Sequence, residues 1–148
     1  MIGDMTPAQK DATAALLRAT LSAEGVMKAT DIMRLEAVLA EFEGSSLSYR
    51  NPEGYYVNLF GEPGTPPWGW RLEGHHLSIN ITVSTPGEIA ATPLFTGTNP
   101  ATPPADADIN RTIQQDEIMR AARLMRSLPP DQAEAATLDS SPRNIVTG

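Results

Sequence analysis

The segment Trp68-Gly-Trp-Arg-Leu-Glu-Gly-His-His-Leu-Ser-Ile-Asn-Ile-Thr-Val83 is the stretch around which the rest of the chain is organised. It contains both tryptophans, both histidines and the longest run of strand-forming residues. We predict a central strand over about 69–83, a turn at 84–87, and a return strand at 88–95 in which Pro93 marks an edge or a bulge. Together these form a hairpin over about 69–95, and a further strand is predicted at 55–60.

Strand alternation divides the predicted central strand into an apolar and a polar face. Residues two apart share a face, and the odd-numbered residues from 77 to 83 are Leu, Ile, Ile and Val, which identifies the core side. The even-numbered side is polar, and we interpret it as the floor of a site. A solvent-exposed sheet face is the alternative interpretation, because antiparallel sheets often have one hydrated face. The candidate catalytic residues are His76, Ser78 and Asn80 on that side, with the neighbouring His75.

The histidine pair is also a candidate metal site. Adjacent residues of a regular strand point in opposite directions, so His75 and His76 would share one divalent ion only if the strand bulged at Gly74. Such a site would need further ligands from elsewhere in the chain, and no acidic residue lies at a diagnostic spacing. A divalent metal is therefore a weakly indicated cofactor, and the pattern does not identify the metal.

Two tryptophans that flank a glycine suggest a binding surface. Indole rings can stack on a sugar or an aromatic ligand, and Trp68 and Trp70 are followed by the charged residues Arg71 and Glu73. These four residues are the candidate ligand-binding group. The alternative is that the tryptophans anchor the preceding loop to the core. Alternation places Arg71 and Glu73 on the core side of the predicted strand, together with His75.

Helices are predicted on both sides of the strands. Thr6 to Gln9 has the pattern of a capping box and starts a helix over 7–23, which Gly25 ends. A second helix carries an apolar stripe from Ile32 to Phe42, has Asp31 near its start and ends at Gly44. A third helix is predicted over 111–126, with Ile113, Ile118, Met119, Ala122 and Met125 available for burial, and a short helix restarts with Ser127 or Leu128 as its cap.

The order of these elements predicts an α+β fold: two N-terminal helices, a small antiparallel β-sheet and C-terminal helices. The length of 148 residues fits a single domain over 1–148. Residues 139–148 show no periodicity and are interpreted as an irregular tail.

The composition of the chain argues against some classes of binding partner. The formal charge of −7 argues against nucleic acid and against anionic membrane surfaces, which attract clustered Lys and Arg. No apolar run is long enough to span a bilayer. The N-terminus lacks the features of a signal peptide, which leaves the cytoplasm, or secretion after removal of a signal, as locations.

The same residues resemble a known family. The segment from Trp68 to Asn80 and the segment Ala91-Thr-Pro-Leu-Phe-Thr-Gly-Thr-Asn-Pro100 are similar to a bacterial family catalogued as domain of unknown function 3500. The resemblance implies no particular activity. It does imply that the chain corresponds to the N-terminal half of a longer domain, whose second half carries another histidine pair near acidic and amide residues. A site built from both halves would take His75, His76, Ser78 and Asn80 from this chain.

Two functions follow as hypotheses. The first is an enzyme, or half of one, with a histidine-based site around His76 that works with or without a divalent metal. The second is a non-catalytic module that binds a small ligand or assembles with other chains. Its partner would be a second copy, or a second chain that supplies the missing C-terminal half.

Overall fold

The computed structural model describes residues 1–109 and 111–138, which belong to two compact units. The first unit covers 1–113 and the second starts at Gln114. The predicted α+β class, with two N-terminal helices, an antiparallel sheet and C-terminal helices, is confirmed. After a short 3-10 turn at Ile2–Asp4, the helices and strands are α1 (Pro7–Thr20), α2 (Ala23–Glu43), β1 (Tyr56–Glu62), β2 (Thr65–Gly74), β3 (Leu77–Thr85), β4 (Glu88–Ala90), β5 (Leu94–Thr96), α3 (Gln115–Ser127) and α4 (Pro130–Ala135).

The first helix forms as predicted but ends earlier. Thr6 and Gln9 make the reciprocal capping box at its start. Gly25 does not end α1, because Ser22 adopts an extended conformation and its hydroxyl accepts a hydrogen bond from the Gly25 N–H at 3.1 Å. Ser22 is therefore the N-cap of α2, and Gly25 belongs to the first turn of that helix.

The second helix is longer than its apolar stripe suggested. Gly44 ends it in the left-handed conformation, as predicted. Asp31 lies in the middle of α2 rather than near its start, so it does not act on the helix dipole. It is buried, and instead it accepts a hydrogen bond from Arg111 Nε and forms an ion pair with that guanidinium. Phe42, at the end of the predicted stripe, is exposed.

The predicted central strand is in fact two strands. β2 and β3 are joined by a turn of His75 and His76, because Gly74 pairs with Leu77. The sheet order is β1-β2-β3-β4, all antiparallel, with β5 also pairing with β3. The predicted return strand is likewise split into β4 and β5, and the residues between them include Pro93, which cannot donate to the ladder.

The turn changes which side chains share a face. Directly opposed residues on antiparallel strands project to the same side, and here Arg71 opposes Asn80 while Glu73 opposes Ser78. Arg71 and Glu73 therefore lie on the polar face, and the prediction that placed them on the core side was wrong. The two-residue turn pairs odd-numbered residues of β2 with even-numbered residues of β3, a change that one continuous strand would not make.

The core lies between α2 and the inner face of the sheet. The apolar residues of β3 that were predicted to face the core are buried at 77, 79 and 81, and Val83 is partly exposed. Ile109 and Ile113 close the core from the segment before the second unit. The buried cluster is Leu17, Ala29, Ile32, Leu35, Tyr55, Trp70, Leu72, Leu77, Ile79, Ile81, Ile109 and Ile113.

The described residues of the second unit, 114–138, contain two helices. α3 starts at Gln115, four residues later than predicted, and Gln114 provides no side-chain cap. Of the residues predicted to be buried, Ile113 is in the core of the first unit, Ala122 is half-buried, and Ile118, Met119 and Met125 are exposed. The short helix α4 is confirmed, with Pro129 at the cap position rather than Ser127 or Leu128.

The predicted tail at 139–148 lies outside the described residues. Within the described residues, every helix is too short or too polar to cross a lipid bilayer.

Candidate functional site

The candidate site is centred on the turn between β2 and β3. His75 and His76 occupy the two turn positions, and their ring centroids are 4.1 Å apart with the planes inclined at 45°. The expectation that these side chains point in opposite directions was wrong, because a tight turn does not alternate as a strand does. No bulge at Gly74 is needed to bring the two imidazoles together.

The turn has an unusual backbone conformation for its sequence. His76 has a φ of +59°, and it is the one non-glycine residue with positive φ in the described part of the chain. Glycine or asparagine is the usual choice at such a position, since a Cβ is crowded there. The His76 carbonyl accepts a hydrogen bond of 2.7 Å from the Gly97 N–H. This contact ties the turn to the segment that follows β5.

Tyr55 contacts the turn at two points, Gly74 and the His75 carbonyl. Its ring covers Gly74, where an added Cβ would lie 2.4 Å from a ring carbon, so only glycine fits without displacement. Its hydroxyl donates a 2.8 Å hydrogen bond to the His75 carbonyl. Burial raises the pKa of Tyr55 far above its usual value, so the phenol stays protonated and remains a donor.

Helix α2 supplies a carboxylate that the sequence reasoning missed. Glu36 is 5% exposed, and its Oε1 lies 2.5 Å from His75 Nδ1. A signal was available, because Glu36 falls four residues after Ile32 and three before Leu39, on the buried stripe of the helix. A carboxylate on such a stripe is rare unless it is paired.

Arg50 links this carboxylate to the end of α2. Its Nε and Nη2 donate to the two carboxylate oxygens of Glu43 at 2.8 Å each, a geometry that lowers the pKa of Glu43. Its Nη1 lies 3.8 Å from Glu36 Oε2 and 3.5 Å from His75 Nδ1. One cation therefore lies between two carboxylates and beside the imidazole.

A cavity of about 290 Å³ opens beside the Glu36–His75 pair. The loop after α2 and the start of the sheet form its walls, so ligands of modest size can reach the pair. Its lining is Met1, Glu36, Ser48, Tyr49, Arg50, Asn51, Gly54, Tyr55 and His75.

His76 differs from His75 in its surroundings. It is half-buried, and burial first, then the neighbouring His75, lowers the pKa of His76 below its usual value. His76 is therefore neutral at pH 7. A neutral imidazole can accept a proton, donate a hydrogen bond or bind a metal.

The other predicted catalytic residues lie on the outer sheet face. Ser78 and Asn80 are half-buried there, and Asn80 Nδ2 donates to Ser78 Oγ at 3.2 Å and to the Pro93 carbonyl at 2.8 Å. Neither residue has a hydrogen bond to a histidine among the contacts described. The structure thus brings the two histidines together with Glu36, and groups Ser78 and Asn80 with Arg71 and Glu73.

The two tryptophans have different environments. Trp70 is 2% exposed and belongs to the core, so its indole is not accessible for stacking on a ligand. Trp68 is half-buried and borders a groove of about 390 Å³. Trp68, Arg71 and Glu73 are the members of the predicted ligand-binding group that reach the surface.

The acidic and histidine side chains of the described residues do not form a metal cage. Within 1–109 and 111–138, no group of three or more such residues is arranged to hold an ion. An ion at His75 and His76 would need additional ligands from water, substrate or another chain.

Comparison with known proteins identifies one family. The model of the family described as "Protein of unknown function (DUF3500)" matches residues 1–148, and the chain belongs to this family. No curated protein and no solved structure matches the chain.

Proposed function

We propose that this member of the DUF3500 family is an enzyme, or half of one, in which His75 and His76 form a histidine-based acid–base centre. The observation that supports the proposal best is the 2.5 Å contact between His75 Nδ1 and the buried Glu36 carboxylate. A carboxylate that orients an imidazole in this way is a recurring feature of general bases.

The contact defines the tautomer of His75. An ionised carboxylate only accepts hydrogen bonds, so Nδ1 carries the hydrogen and Nε2 keeps its lone pair. Nε2 is then the atom that takes a proton from a substrate or from water. The Glu36 carboxylate is placed to stabilise the imidazolium that results, and the positively charged Arg50 lies 3.5 Å from the same ring.

His76 adds a second imidazole of different character. Because His76 is neutral at pH 7, it supplies a hydrogen-bond donor or acceptor rather than a charge. Its left-handed backbone is a second argument for function, since conformational strain is concentrated at active sites. Ser78 and Asn80 lie at the start of β3 and complete the proposed catalytic set from the adjoining sheet face.

The arrangement of the two histidines is also compatible with a bound divalent metal. A metal-binding histidine commonly donates a hydrogen bond from its second ring N–H to a carboxylate, as the Nδ1–H of His75 is placed to do to Glu36 Oε1. His75 Nε2 and a nitrogen of His76 would be the protein ligands. The metal would supply a Lewis acid or an activated water.

The first test is nitrogen NMR of the imidazole rings. We expect His75 as the Nδ1–H tautomer with its proton shifted far downfield, and loss of that signal in Glu36→Gln, which keeps the side-chain shape. Glu43→Gln is the matched control, because it removes a carboxylate from the same network without touching His75. An Nε2–H tautomer in the unmodified protein would contradict the proposal.

The second test separates acid–base chemistry from metal chemistry. Elemental analysis of the purified protein, with His76→Ala as control, reports whether a divalent metal is bound. Bound metal that disappears in His76→Ala supports the metal form. Absence of metal together with an Nε2–H tautomer of His75 rules out both forms of the proposal.

A second function, assembly with another chain or a second copy, is favoured by α3. Its apolar residues Ile118, Met119, Leu124 and Met125 are exposed, whereas an amphipathic helix normally buries its apolar residues. Sedimentation analysis tests this. A monomer at all concentrations, unchanged by Met119→Lys, would argue against self-assembly.

A further inference from the structure

We propose that the outer face of the sheet binds a neutral carbohydrate chain in the groove above Gly69. The groove contains none of Glu36, His75 and His76 and shares only Asn80 with the proposed catalytic set, so the inference does not depend on the proposed chemistry of the histidines. It does give a ligand class to the non-catalytic alternative.

The face is an ordered array of side chains from β1, β2 and β3. Cross-strand pairing aligns them in rows, because opposed residues project to the same side. The three rows are Tyr56-Glu73-Ser78, Asn58-Arg71-Asn80 and Phe60-Gly69-Thr82. Aromatic rings thus stand at the β1 end of the outer rows, and amide, guanidinium and hydroxyl groups fill the rest.

The groove has a volume of about 390 Å³, and Gly69 contributes only backbone to its lining. Phe60, Pro67, Thr92 and Pro93 also border it. Asn80 and Thr82 provide polar groups along it.

The aromatic rings are accessible. Tyr56 and Phe60 are 51% and 49% exposed, and they are four residues apart on one strand, a separation of about 13 Å. An aromatic face binds the C–H face of a sugar ring by stacking. The Arg71 guanidinium lies 5.5 Å from the centroid of the Phe60 ring and supports that ring in place. A ligand in contact with both rings would be longer than one sugar unit.

The charges on the face argue for a neutral ligand. Glu73 accepts hydrogen bonds from Arg71 Nη1 at 3.1 Å and from Asn58 Nδ2 at 3.2 Å, so the two opposite charges are paired with each other. Neither an anion nor a cation would find an uncompensated partner here. A protein partner would have to desolvate the ion pair and the amides, whereas sugar hydroxyls can exchange for water at each of them.

The test is titration of the full chain with cellohexaose, xylohexaose and chitohexaose, and binding is measured by isothermal titration calorimetry. We expect saturable binding of at least one of the three. Phe60→Ala should weaken it about tenfold. Phe42→Ala, which removes a 63% exposed aromatic residue on α2, outside the sheet, is the matched control and should bind as the unmodified protein does.

A second variant keeps the test decisive if Phe60→Ala does not fold. Thr82→Trp fills the groove at an exposed position and should abolish binding while leaving the circular dichroism spectrum unchanged. Failure of all three oligosaccharides to bind would overturn the inference, as would equal binding by the Phe60 variant. A dimer that Phe60→Ala dissociates would also overturn it, because a second copy of the chain would then cover the face.

Discussion

Replacement of His76 by glycine and by alanine tests the argument that this turn keeps a histidine at the expense of stability. At ordinary positions, a protein with glycine has a free energy of unfolding about 0.5–1 kcal/mol lower than the same protein with alanine, because glycine gives the unfolded chain more conformational freedom. At a φ of +59°, an L-residue with a Cβ is strained by about 1–2 kcal/mol, and glycine is not. Both variants lose the imidazole, so its packing cancels in the comparison.

The expected result is a reversal of the usual order. The strain term exceeds the chain-entropy term, so His76→Gly should be more stable than His76→Ala by up to about 1 kcal/mol. Urea unfolding followed by tryptophan fluorescence is a suitable assay, since Trp70 is buried in β2 beside the turn. For a protein of this size, the difference corresponds to about 2–6 °C in Tm.

Gly44 provides the matched control. It has the same φ of +59°, and an added Cβ would meet no atom within 4 Å, so Gly44→Ala isolates the backbone strain. We expect it to be destabilising by about 1 kcal/mol. If Gly44→Ala is destabilising by that amount while His76→Ala is at least as stable as His76→Gly, the reasoning about the turn is wrong.

Three further predictions concern the surroundings of the turn. Because burial lowers the pKa of His76, the unfolded state binds a proton at this histidine before the folded state does as the pH falls through about 6.5, so the free energy of unfolding should decrease below neutral pH. Urea midpoints measured against pH should fall less steeply in His76→Asn, and equal slopes would contradict this. Tyr55→Phe should lower the free energy of unfolding by about 0.5–1.5 kcal/mol, since it removes the part-buried hydrogen bond from the phenol to the His75 carbonyl, while Tyr49→Phe, at an exposed position, should have no effect in the same urea assay. Gly74→Ala should be destabilising by about 1–3 kcal/mol, because the new methyl group would overlap the Tyr55 ring, and a Tm equal to that of the unmodified protein would refute the packing argument.

The fold predictions that depended only on short-range sequence features were confirmed. The capping box at Thr6, the glycine end of α2 and the apolar residues at 77, 79 and 81 depend on short-range spacing, and all were confirmed. The prediction failed at Gly25, where two local signals competed and the Ser22 cap determined the boundary. A glycine after a helical pattern indicates an end only when no better cap lies nearby.

The same distinction applies to the site. The sequence by itself determined that the segment containing His75 and His76 supplies the central part of the sheet and that one face of β3 is polar, because composition and alternation are local properties. Only the tertiary structure determined that the pair forms a turn, that Glu36 from α2 reaches His75, and that Arg71 and Glu73 share the polar face with Ser78 and Asn80. A histidine in the left-handed region and a carboxylate on a buried stripe are unfavourable in isolation. Partners distant in sequence hold them in place: Tyr55 contacts the turn at His75, 20 residues away, and His75 contacts Glu36, 39 residues away, which no local pattern encodes.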